Sequence, residues 1–195
     1  MLVERVGDAR LPTASGEFRV VSYRAHDGHE HVAIVEGDPR GTAVLARVHS
    51  ECLTGDVLGS VKCDCGAQLA HALGAIGDSG RGVVVYLRGH EGRGIGLANK
   101  IKAYELQDGG LDTVDANTVQ GLPVDARRYD VAAAILLDLG VESIRLMSNN
   151  PAKAAGLVEY GVAVDALVPV VVPIHPESER YVRTKVDRLG HLAAT

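Results

Sequence analysis

The run "YDVAAAILLDLGVESIRLMSNNPAKAAGLVEYGVAVDALVPVVV", residues 129–172, decides the fold. Residues 129–139 are apolar at helical density and stop at Gly140, which can take the left-handed conformation favoured just past a helix end. "ESIRLMS" (142–148) follows as a strand. Asn150 then reads as an N-cap and Pro151 as the first helical residue, so a second helix runs to Gly161. "VAVDALVPVVV" returns as a strand. Helix, strand, helix and strand with short connections make an α/β layered arrangement.

Upstream, "FRVVSY" (18–23), "HVAIVEG" (31–37) and "TAVLARVH" (42–49) are β-branched runs bounded by Gly, Asp and Pro, and read as strands. Leu69, Ala72, Leu73 and Ile76 recur at helical spacing, and "GVVVYLR" (82–88) reads as a buried strand. "GRGIGLANKIKAYELQDGG" (92–110) begins as a loop and becomes a helix stopped by Gly109 and Gly110. No repeat, low-complexity tract or linker divides residues 1–195. The expectation is a single compact domain of mixed sheet and helices.

At 195 residues the chain can bury one sizeable core. Sequence-tolerant nucleic-acid binders use aromatic platforms in a basic field, and this chain has 4% aromatic residues and a net charge of −5. A nucleic-acid role is therefore set aside. An anionic small molecule would need a local cluster of Arg and Lys. "MLVERVGDARLPT" scatters charges where a signal peptide needs an apolar core, and no apolar run reaches the roughly 20 residues of a membrane span. The chain reads as cytoplasmic, with no membrane partner, in a compartment that keeps thiols reduced.

All three cysteines fall in "HSECLTGDVLGSVKCDCGAQL" (49–69). Three is odd for a disulfide framework. Cys63 and Cys65 can face one ion if the backbone turns, and Gly55 and Gly59 allow Cys52 to return to it. Thiolate sulfur suits tetrahedral Zn²⁺, and three protein ligands leave a fourth position for water, as in catalytic sites. The alternative is a structural Cys₃His site completed by His49 or His71. C-x-C is not the redox C-x-x-C spacing.

"LRGHEGRGIGL" (87–97) follows a strand, and glycines let backbone N–H groups approach phosphate oxygens. It matches neither G-x-G-x-x-G nor a Walker A motif, so glycine pattern alone also allows a plain surface turn. Arg47, "VDARRYD" (124–130) and Lys153 at the "SNNPAK" helix start add candidate anion contacts. Singly, each is equally a solvated charge or a cap.

Taken together, "RVHSECLTGDVLGSVKCDCGAQL", "EGRGIGL", "NKIKAYELQD", "DTVDAN", "DARRY" and "NNPAK" occur in the order found in GTP cyclohydrolase II. The chain resembles that family from "LPT" near residue 11 to "TKVDRLGHL" (184–192), in its stand-alone form. The resemblance implies zinc-dependent opening of the guanine imidazole ring of GTP at C8, with release of formate and pyrophosphate. The product would be 2,5-diamino-6-(5-phosphoribosylamino)pyrimidin-4(3H)-one, the first committed intermediate of riboflavin biosynthesis. It implies that Cys52, Cys63 and Cys65 hold one Zn²⁺ and that Mg²⁺ accompanies the triphosphate. Substrate contacts would come from Arg47, Val48, His49, Ser50, Glu51, Gln68, Glu91, Gly92, Arg93, Thr113, Ser148 and Lys153. Asp125 would be the proton acceptor and Arg127 the nucleophile at the α-phosphate. An arginine has no free lone pair while protonated, so a charge-stabilising role for Arg127 is equally economical. Tyr104 matches a tyrosine tied to ring hydrolysis and deformylation, which relatives that keep the formyl group lack. Ser148 replaces the family's usual threonine and keeps the hydroxyl. A homodimer is also implied.

Overall fold

The computed structural model describes residues 2–193. A seven-stranded mixed sheet runs in the order β1-β2-β3-β5-β4-β6-β7. β1 (Val3–Thr13), β2 (Gly16–Ala25) and β3 (Glu30–Glu36) form an antiparallel meander, and β3 pairs antiparallel with β5 (Gly82–Leu87). Beyond β5, β4 (Val44–Ser50), β6 (Ser143–Met147) and β7 (Ala163–Val168) are parallel neighbours.

Parallel pairing requires crossovers, and helices supply them. α1 (Cys65–Ser79) joins β4 to β5, α5 (Asp130–Asp138) leads into β6, and α6 (Pro151–Glu159) joins β6 to β7. Ala72 and Ile76 of α1 pack with Phe18, Val84 and Met147 on one face of the sheet. Ile135 and Leu136 of α5 and Leu157 of α6 pack with Val83, Val85, Ile144 and Leu146 on the other. With both faces covered, "GVVVYL" is apolar at nearly every position rather than alternating. The α/β expectation holds, and the helix–strand–helix–strand tail lies where the sequence puts it.

Between and after these elements run a π-helical turn (Leu53–Val57), α2 (Glu91–Gly94), α3 (Leu97–Asp108), α4 (Thr113–Thr118) and α7 (Pro176–Leu189). The turn follows β4 and α2 follows β5, so both leave the sheet at strand C-terminal ends. In open parallel sheets that edge, where the chain crosses to opposite faces on either side of a strand, is where ligands bind.

The short helical turns at Leu53–Val57, Glu91–Gly94 and Thr113–Thr118 have no counterpart in the sequence reading, and three longer elements also differ from it. β1 has no periodic signal, because residues 4–10 face water and are matched instead by ion pairs across the hairpin, Arg10–Glu17 and Arg19–Asp8. α7 is polar over most of its surface, so it too escapes a search for apolar stripes. The last strand is shorter than "VAVDALVPVVV", ending at Val168 because Pro169 has no N–H to donate. The Asn149 side chain then takes over as partner, donating to Val170 O at 2.8 Å and accepting from Val170 N at 2.8 Å. Among the described residues, no helix is long and apolar enough to cross a membrane.

β6 carries the core between β4 and β7, and Leu146 is fully buried. Truncating Leu146→Ala is expected to lower stability by about 2–5 kcal/mol, read as a shift in the urea midpoint at unchanged slope.

Candidate active site

The C-terminal ends of β4, β5 and β6 open into a cleft whose empty space, counted together with open solvent at its mouth, is about 1020 Å³. β4 delivers Arg47, His49 and Ser50 to it and runs on into Glu51 and Cys52, while β6 runs on into Ser148, Asn149 and Asn150. α2 brings Glu91, Gly92 and Arg93, and α3 brings Lys100 and Tyr104.

At one end stand the cysteines. The ligand atoms of Cys52, Cys63 and Cys65 lie within 4.8 Å of one another, and the Cys52 and Cys63 sulfurs are 3.6 Å apart. A tetrahedral ion with Zn–S bonds of ~2.3 Å spans sulfurs ~3.8 Å apart, so the spacing fits. The backbone leaves this space open at Gly55: an added Cβ would lie 3.0 Å from Cys63 Sγ and 3.2 Å from Cys52 Sγ. Gly66 is equally constrained, since its Cβ would meet Gly55 O at 2.3 Å. Hydrogen bonds from Cys63 and Cys65, then from Lys100, pull the Cys52 thiol well below its ordinary pKa, while the other two thiols are pushed up. Protons shared among three sulfurs are what a metal ion displaces.

Neither histidine completes the set. His49 Nε2 is held by Asp56, at 3.0 Å from Oδ1, and His71 is exposed on α1. Among the described residues no His, Asp or Glu joins the three cysteines. Asp56 also accepts from the Cys52 backbone N–H at 3.0 Å and from Tyr86 OH at 2.9 Å. It therefore fixes the loop that presents the first cysteine.

Beside the sulfurs lies a buried ion pair. Lys100 Nζ donates to Glu91 Oε1 at 2.5 Å, to Thr54 Oγ1 at 2.9 Å and to Cys52 Sγ at 3.0 Å. Thr54 Oγ1 is 3.2 Å from Tyr104 OH. Burial pushes the Tyr104 phenol up to about 12, so it keeps its proton at neutral pH.

The rest of the cleft is cationic despite the acidic chain. Arg47 is buried, donating to Met147 O at 2.9 Å and to Gln68 Oε1 at 2.6 Å. Lys153 donates to Val48 O at 2.7 Å, and burial, then Arg47, depress its pKa strongly. Arg93 sits in a left-handed conformation at φ 63, next to Gly92 at φ 60. Such a backbone costs on the order of 1 kcal/mol at a non-glycine residue. Both Arg93 Nη atoms are buried with no hydrogen-bond partner among the described residues. Unpaired donors on buried cations are what an anionic ligand satisfies.

Arg127 lines the same cleft, its Nε 2.9 Å from Asp125 Oδ1 and its Nη2 2.5 Å from Oδ2. Burial opposes its charge, but the bond to Asp125 outweighs this and raises its pKa. Every site residue named from the sequence lines the cleft except two. The Val48 side chain packs in the core and only its carbonyl faces Lys153; Asp125 stands behind Arg127. Thr113 lines the cleft at the start of α4. Lys100, Lys185, Tyr181, His90, His191 and Asn117 line it too and were not singled out. Lys100 and Lys185 lie inside "NKIKAYELQD" and "TKVDRLGHL", but nothing in their spacing distinguishes them from solvated lysines.

Gly55→Ala is expected to weaken zinc uptake on the order of tenfold or more in a chelator competition, with the metal-free fold nearly unchanged. His90 is expected to make stability pH-dependent. Burial, then Arg127, lowers its pKa from 6.5 to about 4. Between those values the unfolded chain binds the proton and the folded chain does not, so stability falls as pH drops from about 6.5 to about 4. His90→Asn should flatten that part of the stability–pH curve in denaturant titrations.

Residues 4–169 match the model of the family described as GTP cyclohydrolase II. "Riboflavin biosynthesis protein RibBA" of Salinispora tropica is 60% identical over 192 residues, covering 97% of this chain and 48% of that protein. The protein of the same name from Mycobacterium tuberculosis is 56% identical over 195 residues, covering 97% of this chain and 46% of that protein. The chain thus spans about half the length of the curated relatives it matches. A two-domain 3,4-dihydroxy-2-butanone 4-phosphate synthase, RibBX of A. baumannii, aligns over 86% of this chain and 40% of its own at 23% identity and a TM-score of 0.49. With the matched region holding the cysteine cluster, the Gly92–Arg93 turn and the ends of β4, β5 and β6, the chain belongs to the GTP cyclohydrolase II family.

Proposed function

We propose that the chain hydrolyses GTP, opening the guanine imidazole ring at C8 and releasing formate and pyrophosphate. The product would be 2,5-diamino-6-(5-phosphoribosylamino)pyrimidin-4(3H)-one, the first committed intermediate of riboflavin biosynthesis. One observation carries this reading: a three-cysteine cluster and a set of buried cations share a single cleft. The first suits the reacting ring, and the second suits a triphosphate.

Cys52, Cys63 and Cys65 would hold zinc, which supplies Lewis acidity and a water with a pKa near 7. Tyr104, kept protonated and steadied by Thr54, would give a proton to a ring nitrogen as its bond to C8 breaks. Arg47, Arg93 and Lys153 would neutralise phosphate oxygens, and Mg²⁺ would supply further positive charge to the triphosphate. The ends of β4 and β6, with Gln68, Glu91 and Thr113, would enclose the nucleoside.

Arg127 is better suited to stabilising charge than to attacking phosphorus. The two-point contact with Asp125 keeps the guanidinium protonated, and a protonated guanidinium has no lone pair to donate. It would then hold the α-phosphate while water displaces pyrophosphate. A homodimer and a cytoplasmic setting are part of the same proposal, since a reducing compartment would keep the three thiols free to bind metal.

Zinc-loaded protein given GTP and Mg²⁺ is expected to release formate and pyrophosphate in equal amounts. Pyrophosphate without formate would point to a relative that keeps the formyl group, and neither product would overturn the reading. Tyr104→Phe is expected to lower formate release about 100-fold or more while GTP binding, measured by equilibrium dialysis, changes little.

A further inference from the structure

α7 lies beyond the matched residues 4–169, yet it forms one wall of the cleft through Tyr181 and Lys185. The helix is fastened by polar contacts at several points. Arg188 pairs with Asp112 and Asp115 at the start of α4, Arg180 Nη2 donates to Gly110 O at 2.8 Å, and Leu192 N donates to Asn149 O at 2.8 Å. Lys185 is buried, and its Nζ donates to Asp64 Oδ1 at 2.5 Å. Asp64 Oδ2 in turn accepts from Gln68 Nε2 at 2.7 Å, and Gln68 Oε1 accepts from Arg47. A hydrogen-bonded chain therefore ties α7 to a cation at the end of β4.

The Lys185 ammonium has three N–H donors, and one is used on Asp64. It also lies 4.6 Å from the centre of the Tyr181 ring, which the Arg93 guanidinium approaches at 5.8 Å. So Lys185 and the unpaired Arg93 donors are brought to one aromatic ring on the cleft wall. His191, next to them, is driven down to about 3 by burial and then by Lys185, Arg93, Arg127 and Lys153. Positive charge from α2, the 125–127 segment, α6 and α7 converges there. Asp125 and Asp64 each offset one of these cations, while Arg93 and Lys153 have no carboxylate partner among the described residues.

We propose that Lys185 is a further phosphate-binding residue of this site, so that α7 supplies part of the triphosphate pocket rather than merely covering it. The proposal rests on the GTP reading above. Its chemistry requires only that a polyphosphate oxygen replace or share the Asp64 contact. Charge-assisted hydrogen bonds of this kind are lost with a large penalty when the cation is removed.

The test uses the zinc-loaded full chain with inorganic pyrophosphate and guanosine as separate inhibitors of GTP turnover. Lys185→Met is expected to raise the KM for GTP and the Ki for pyrophosphate about tenfold or more, with the guanosine Ki within about twofold. Because Lys185→Met leaves the buried Asp64 carboxylate without its cationic partner, Asp64→Asn/Lys185→Met is made alongside it. The double variant should regain thermal stability but not pyrophosphate affinity. Recovery of both would overturn the proposal, as would equal weakening of pyrophosphate and guanosine. Wild-type protein gives a check free of folding effects: pyrophosphate, unlike guanosine, should slow amide hydrogen exchange over residues 181–190. Unchanged exchange there would also overturn it. A wild type that releases no formate or pyrophosphate from GTP would instead defeat the enzymatic reading, leaving pyrophosphate binding at Lys185 as a separate result.

Discussion

The buried contact between Lys100 and Glu91 organises everything around it. Glu91 accepts from Lys100 with one oxygen and from the Leu53 backbone N–H, at 2.7 Å, with the other. Lys100 also reaches Cys52 and Thr54. Three separate segments, the cysteine loop after β4, the turn after β5 and the helix after that, are thereby locked to one another. Two buried charges rarely add net stability compared with apolar packing, but removing one of them typically costs about 3–5 kcal/mol. Such a pair enforces one arrangement of the loops, and here that arrangement sets the sulfurs, Tyr104 and Arg93 in register.

A second constraint is the unusual charge distribution. Buried Arg47 and Lys153 work against folding because desolvation opposes each charge, and at Lys153 repulsion from Arg47 adds to it, while the buried Arg93 Nη donors have no partner among the described residues. The left-handed Arg93 backbone adds strain in the same place. Concentrated strain, unpaired donors and like charges describe a site that is less stable empty than when an anion fills it. The three-layer core, with both sheet faces covered, offsets that burden.

Much of this was legible in the sequence. The tail helices and strands followed from Gly140, Asn150 and Pro151, because caps and apolar spacing are local properties of neighbouring residues. The cysteine window announced a metal site by residue type and spacing, and its motif order indicated the family. β1 and α7 were not legible, since one is an exposed edge held by cross-strand ion pairs and the other is a polar helix held at scattered points. Lys100 and Lys185 were missed for a related reason: burial of a lysine is decided by what packs over it.

The sequence alone therefore determined the α/β class and put forward the three cysteines and the candidate contacts of each motif, because those depend on identity and short spacing. Only the tertiary structure decided that His49 serves Asp56 rather than the cysteines, and that Arg127 faces the cleft with Asp125 behind it. It likewise decided that a C-terminal helix reaches a cleft formed more than 100 residues earlier at Asp64, a separation of 121 positions bridged by one ion pair. Contacts at that range depend on how the sheet and its crossovers bring strand ends together, and no local pattern records them.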